Sequence, residues 1–256
     1  MDESLIEKQN GNFANTVLYA VCFNFLCGGR IIKSLICMSI KDKYKVRSCD
    51  TNQTKEWFLK KHYAHRIPNS IYTFGLYDGN ILQGVISFGM TANNNLNEFI
   101  DGYQCIELNR VVINEGLEEN TLSFFVSQSL KLLPKPVVVI SYADTGQGHH
   151  GYIYQATNWI YTGLGKGDYE FIKDGRQYHR KNIYDLLGTG SLENAQKHGY
   201  EVVKVQPKHR YIFLLGDKRQ LKDMKTKLPF KIEPYPKGEN TRYDASYKPT
   251  VQTSLF

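Results

Sequence analysis

The 256-residue chain lacks the features that build disulfide, metal or membrane scaffolds. Its five cysteines, Cys22, Cys27, Cys37, Cys49 and Cys105, are an odd, sparse set with no C-x-x-C pair and no Cys/His spacing of a structural zinc site. That argues against a disulfide framework and fits a reducing compartment, a cytoplasm. Long apolar runs are missing too. Val17 to Ile40 comes nearest, but Asn24, Gly28-Gly29-Arg30 and Lys33 interrupt it, so neither half reaches the ~18–20 residues of a membrane span and no stable membrane insertion is expected. Asp2, Glu3 and Glu7 stand where a secretory signal needs positive charge. No internal repeat is visible. Hydrophobic residues at 41% against 22% charged are enough for a packed core and exclude global disorder.

Tyrosine is abundant, with 18 residues against 2 tryptophans, and the net charge is +7. The charge is uneven. Residues 1–165 carry 14 Lys/Arg and 14 Asp/Glu, whereas residues 166–256 carry 18 and 11. A basic part joined to a neutral part suggests a polyanion-facing surface, or else a solvated basic face without a ligand. Met38 reads as a plausible alternative start. Residues 1–42 are therefore taken as an N-terminal extension, or alternatively a partner-binding arm, with a core domain over 43–216 and a basic helix and polar tail over 217–256.

From residue 43 the pattern alternates. Tyr44 to Cys49 reads as a strand, and Thr54 to Ala64 as a helix started by Asp50 or Thr51. Ile71–Tyr77 and Ile81–Phe88 form a hairpin around Asp78-Gly79-Asn80. Ile106–Ile113 is a strand; Leu122, Phe125, Val126, Leu130 and Leu133 recur at helical spacing. Val137–Tyr142 is a continuous apolar strand of the buried, parallel kind. A short helix over His149–Asn158 and a strand over Trp159–Thr162 follow. The basic part predicts a hairpin (Tyr169–Ile172 with Tyr178–Ile183), a short helix from Gly190-Ser191 to Lys197, a last hairpin (Glu201–Val205 with Tyr211–Leu215), a helix over Asp217–Leu228 and an aperiodic tail from 231. The core order is that of the Gcn5-related acyltransferase fold: an α/β (α+β) mixed sheet flanked by helices.

Several residues bear chemistry. Glu107, Asn109 and Arg110 are polar side chains inside a central strand, where charge is costly unless paired. Strict alternation puts Glu107 and Asn109 on one face and Arg110 on the other. Asp144 ends the buried strand, where open α/β sheets place ligands; it is a partner for Arg110, a general base, or a turn residue. Gly146 to Trp159 is the densest polar stretch, and a helix there aligns His150, Tyr154 and Asn158 at i, i+4, i+8. Imidazoles as a class titrate near neutrality, so His149 and His150 are residue types that suit acid–base work. Lys60-Lys61-His62-Tyr63-Ala-His65-Arg66 joins cations to an aromatic, which suits a phosphate backbone and an unstacked base, or simply ends an amphipathic helix. His62 and His65 share a helix face, but no acidic third ligand lies nearby, so no metal site is expected. Asn114 to Thr121, in the position of the coenzyme A loop of the fold, has three carboxylates and one glycine, so an acetyl-CoA-type donor is doubtful.

Glu107-Leu-Asn-Arg110, the helix with Ser123, Ser141-Tyr-Ala-Asp144 and above all Gly148-His149-x-Gly151-x-Ile153-Tyr154-Gln-Ala156-Thr-Asn158-Trp159 resemble the Mom-type DNA modification proteins of bacteriophages, from about Tyr44 to Leu215. The resemblance implies an acyltransferase-like fold. It also implies conversion of adenine in double-stranded DNA to a form carrying a carbamoylmethyl group on its exocyclic amine, which protects phage DNA from host restriction. It implies an active site of Arg110, Ser123, Asp144, His149 and Tyr154, with a small-molecule or carrier-borne donor and the host cytoplasm as location. Base flipping would expose the amine. Substrate contacts are expected from His62, Tyr63, Asn158, Lys61 and Arg66, and phosphate contacts from Arg176, Arg180, Lys181, Lys208 and Arg210. A small-molecule N-acyltransferase using acetyl-CoA and a non-catalytic DNA-binding protein are the competing readings.

Overall fold

The computed structural model describes residues 19–27, 30–91, 100, 102–165 and 167–238. Residues preceding the core form an antiparallel strand pair, β1 (Tyr19–Cys27) with β2 (Arg30–Met38). Among the described residues no helix is long and apolar enough to cross a membrane.

The core starts with α1 (Ile40–Lys43) and β3 (Tyr44–Ser48). Asp50 then caps α2 (Thr51–Glu56) by accepting from the Asn52 N–H at 2.6 Å. The helix widens into a π turn over Trp57–Lys61 and stops there, earlier than the sequence pattern predicts. β4 (Tyr72–Asp78) and β5 (Ile81–Met90) form the expected hairpin, with Gly79 at φ +57° supplying the turn. β6 (Gln104–Ile113), α3 (Thr121–Leu132) and β7 (Val137–Asp144) follow as expected.

Gly148 and Gly151 both take positive φ, which confines α4 to Tyr152–Ala156 rather than the longer predicted helix. β8 (Ile160–Leu164) closes this part. The expected hairpin β9 (Asp168–Lys173) and β10 (Arg176–His179) is present. Its second strand ends at 179, because α5 (Arg180–Leu187) turns Ile183 and Leu187 onto Phe171 instead. α6 (Leu192–Lys197) begins at Ser191, as expected.

The last predicted hairpin is not formed. β11 (Glu201–Val205) pairs with β9, whereas β12 (Lys208–Leu215) enters the main sheet between β7 and β8. The reason is burial. Tyr211 and Ile212 are buried on opposite faces of the main sheet, where helices cover both sides, while β11 is half-exposed. α7 (Lys218–Thr226) follows.

The main sheet runs β3-β4-β5-β6-β7-β12-β8, antiparallel except for the parallel pair β6–β7. One face carries Ile86, Phe88, Ile106, Leu108, Val137 and Val139 against Phe125, Val126 and Leu130 of α3 and Tyr154 of α4. The other face packs Val85 and Val112 under Trp57 and Phe58, and Val138, Ile140 and Ile212 under Met224 of α7. Burying each such side chain contributes about 1.5–3 kcal/mol. The helix after residue 217 is thus a packing element of the sheet. The smaller sheet, β10-β9-β11, has its own core of Phe171, Ile183, Ala195 and Tyr200.

The segment after α7 is also ordered against the sheet. The Glu233 N–H donates to the Tyr161 carbonyl at 3.0 Å and the Tyr235 hydroxyl to the Trp159 carbonyl at 2.7 Å. The Gln155 amide donates to the Pro236 carbonyl at 3.3 Å. These bonds lay residues 233–236 along β8, the outer strand of the sheet.

Candidate active site

The site grows from two irregularities in β6. Ser87 pairs with Arg110 but Phe88 pairs with Leu108, so Asn109 is an extra residue, a β-bulge. Strict alternation therefore fails. Glu107 stands opposite Gly89 and Arg110 opposite Ser87, two apart on β5, which puts Arg110 on the face of Glu107 rather than across from it. The bulged Asn109 is held at both ends of its amide. Its oxygen accepts from the Ser87 hydroxyl at 2.7 Å and its nitrogen donates to the Asn69 carbonyl at 3.1 Å.

The second irregularity is a splay. The β6–β7 pairing runs from Gln104/Val137 only to Glu107/Ile140. Beyond it the freed Leu108 carbonyl still needs a donor. The Ser141 hydroxyl supplies one at 2.8 Å, and its oxygen accepts from the Tyr154 hydroxyl 2.7 Å away. Tyr154 is buried against Trp159 and Tyr211. Burial raises its pKa well above the usual phenol range, so it is a neutral donor under the cleft rather than a stacking platform on its surface.

Arg110 is half-buried. Its Nη1 donates to the Asn109 carbonyl, while its Nε is buried with no partner. Desolvation and the nearby Arg66 charge lower its pKa, opposed by Tyr63, Glu107 and Tyr154. Asp144 does not meet Arg110 in an ion pair. Its Oδ1 accepts from the Gly146 N–H at 2.9 Å and its Oδ2 lies 3.2 Å from Lys208 Nζ. Its carbonyl accepts from the His149 N–H at 3.0 Å, which folds the glycine-rich turn back onto the strand end.

His62, Tyr63 and His149 form an aromatic row: His62 stacks on Tyr63 at 4.4 Å between ring centroids, and Tyr63 meets His149 edge-on at 5.6 Å. His62 Nδ1 accepts from the Ala64 N–H at 3.1 Å, so its proton is assigned to Nε2. Burial, then Arg110 and His149, lower its pKa to about 3, and the ring is neutral at physiological pH. Tyr63 is pushed up by burial and by Asp144. Tyr63 thus feels Asp144, Arg110 and Arg66, and His62 beside it feels Arg110 and His149.

The other expected residues make contacts of their own. Lys61 is 2% exposed, and its Nζ sits 2.5 and 2.6 Å from the two Glu115 oxygens. It ties the π turn to the acidic loop instead of meeting solvent. Glu118 of that loop is bound by Lys43 and the Tyr44 hydroxyl. Two of the three carboxylates are thus neutralised internally. Ser123 donates to the Asn120 carbonyl at 2.9 Å in the first turn of α3. Asn158 is exposed at φ +61°, outside α4, so the His150–Tyr154–Asn158 stripe does not form. His150 faces His209, at 5.6 Å between centroids.

Of the basic set, Lys208 is on Asp144. Arg210 donates to the Thr162 hydroxyl and carbonyl, both at 2.9 Å, and covers the Phe230 ring at 3.4 Å, so its guanidinium is engaged internally. Arg176 and Arg180 are exposed in the smaller sheet layer, Arg180 3.9 Å from Asp168. The Lys181 side chain lies outside the described residues. His65 Nδ1 contacts the Leu59 carbonyl at 2.9 Å, and the His65 N–H donates to the His62 carbonyl at 3.0 Å. Among the described residues no three His, Cys, Asp or Glu side chains converge as a metal-holding group. Asn109 and Ser141 stand out in the sequence, as a polar residue within a central strand and a hydroxyl at the end of an apolar run, but their partners do not; Gly89 leaves no signal.

A mixed sheet whose parallel central pair splays over a polar cleft has the acyltransferase-like α/β fold. Solved structures with this likeness include a spermidine N-acetyltransferase chimera from Vibrio cholerae (11% identity, TM-score 0.39, 71% of this chain and 98% of that one). A GNAT-family acetyltransferase from Bacillus cereus is similar at 9% identity and TM-score 0.36, covering 67% and 96%. The model of the Mom protein family matches residues 43–237. The methylcarbamoylase mom of Escherichia phage Mu is 32% identical over 188 residues, 69% of this chain and 77% of the phage protein. The chain belongs to the Mom protein family.

Proposed function

We propose that this protein is a phage DNA modification enzyme that converts adenine in double-stranded DNA to an N6-carbamoylmethyl form, protecting that DNA from restriction. The observation that carries the reading is the gathering of Arg110, Asp144, His149 and the His62–Tyr63 stack at the splay of β6 and β7, in a chain of this family.

The exocyclic amine of adenine is a weak nucleophile and lies within the duplex, so the base flips out and stacks along Tyr63. The amine nitrogen forms a bond to the methylene carbon of a donor carrying –CH2–C(O)NH2. The bond from that carbon to its leaving group breaks, and the leaving group departs with the electron pair. One amine proton passes to the Asp144–His149 side of the site. Arg110, with a buried Nε that has no partner, orients the donor carbonyl and stabilises charge there. Tyr154 holds the floor through Ser141. Ser123 assists from the start of α3, and Lys208, Arg66, Arg176 and Arg180 meet phosphates.

Nucleoside mass spectrometry tests this. Plasmid DNA from bacteria expressing the protein should yield a deoxyadenosine about 57 Da heavier, the mass of the proposed adduct. The product should be absent with Arg110→Ala or Asp144→Ala. Unmodified nucleosides from soluble wild-type protein would overturn the reading and favour small-molecule acyl transfer.

A further inference from the structure

We propose that Ile67 is a wedge that enters the duplex where the target adenine leaves its stack, with Arg66 beside it on the backbone. The proposal rests on the adenine-modification reading above. Flipping leaves a gap opposite the orphaned base, and an apolar side chain on a stiff support can fill it and hold the base out.

Residues 62–70 form such a support. The Asn69 carbonyl lies so close over β5 that a Cβ on Gly89 would sit 1.8 Å from it, and the bulged Asn109 donates to the same carbonyl. At the other end, His65 holds φ +44°, with its ring fixed on the Leu59 carbonyl. Pro68 restricts Ile67 to extended backbone. Between these anchors Ile67 is 44% exposed. Single exposed apolar residues are common on protein surfaces. This one differs in its surroundings. Tyr63 and His62 begin the same segment, and Arg66 lies close enough to Arg110 and Tyr63 to perturb both. An apolar tip next to a cation, on the segment that begins with His62 and Tyr63 and is tied at Asn69 to the bulge of β6, matches a duplex interior bordered by phosphates.

The test uses two oligonucleotide duplexes. One holds 2-aminopurine, the fluorescent analogue of adenine, opposite thymine; the other holds it opposite an abasic site, where it is already loosely stacked. Wild-type protein should raise 2-aminopurine fluorescence on both. Ile67→Ala should bind the matched duplex with nearly unchanged anisotropy yet lose the flipped population by about tenfold, while matching wild type on the abasic duplex. Ile67→Leu should restore flipping. Equal fluorescence from wild type and Ile67→Ala on the matched duplex would overturn the wedge, as would equal loss on both duplexes. These results leave the enzyme reading intact, because the modified nucleoside made by wild-type protein reports on that separately. Absence of both flipping and modified nucleoside with the wild type would overturn the two together.

Discussion

His149 and His150 are consecutive in the chain and belong to different neighbourhoods. The first meets Tyr63 at the cleft. The second meets His209, and a Cβ on Gly238 would lie 2.5 Å from its Nε2, so it sits under the chain that follows α7. His150 also offers its carbonyl to the Tyr211 hydroxyl and, at 3.1 Å, to the Gln155 amide. Two residues of one type in one motif thus divide between the cleft and the packing beneath the chain after α7. The cause is backbone geometry: Gly148 and Gly151, both at positive φ, turn the chain on either side of the pair.

The comparison is broken most severely at the turn itself. Gly151→Ala places a methyl 2.3 Å from the Tyr211 ring in a left-handed conformation, and should cost about 3 kcal/mol, read as a fall in the midpoint of urea unfolding. Next come the two histidines. His149→Ala should lower modified adenine about 100-fold with little change in melting temperature, whereas His150→Ala should stay within about threefold of wild type. The opposite ranking would assign the cleft to the wrong side of the turn. A smaller effect separates buried from accessible imidazoles. His62 stays neutral in the folded protein down to about pH 3, against an ordinary value of 6.5. Between those values the unfolded chain binds a proton that the folded one does not, so stability falls as pH falls. From pH 6.5 to 5 the loss should be about 2 kcal/mol, and His62→Gln should flatten that slope in pH-dependent unfolding. Smallest is Tyr235→Phe, which removes the bond to the Trp159 carbonyl. It should cost about 1 kcal/mol of unfolding free energy and leave the modified nucleoside unchanged.

Much of the architecture was legible before the structure. The hairpin at Asp78-Gly79-Asn80, the four-residue apolar block Val137–Ile140 and the cap at Ser191 are local signals, and local signals survive. Arg110, Asp144 and His149 were legible too, as polar residues where a buried strand or a glycine-rich turn leaves little room for them. Long-range facts were not. Lys61 reads as the exposed end of a helix, and its partner Glu115 is 54 residues away. β12 belongs between β7 and β8, although the chain delivers it straight from β11. Arg110 takes its face from an extra residue that alters no composition and no apolar spacing.

That extra residue makes β6 unequal in its tolerance of chain-length change. Along a strand of period two, removing a residue on either side of the bulge reverses every side chain between the two points. Losing Asn109 itself would leave a regular strand with Leu108 and Arg110 on their present faces. It would, however, cut the ties to Ser87 and Asn69 that hold the neighbouring segment down. One codon therefore separates two inheritances, the direction of the arginine and the anchoring of the loop above it, so a lineage could shed the second while keeping the first.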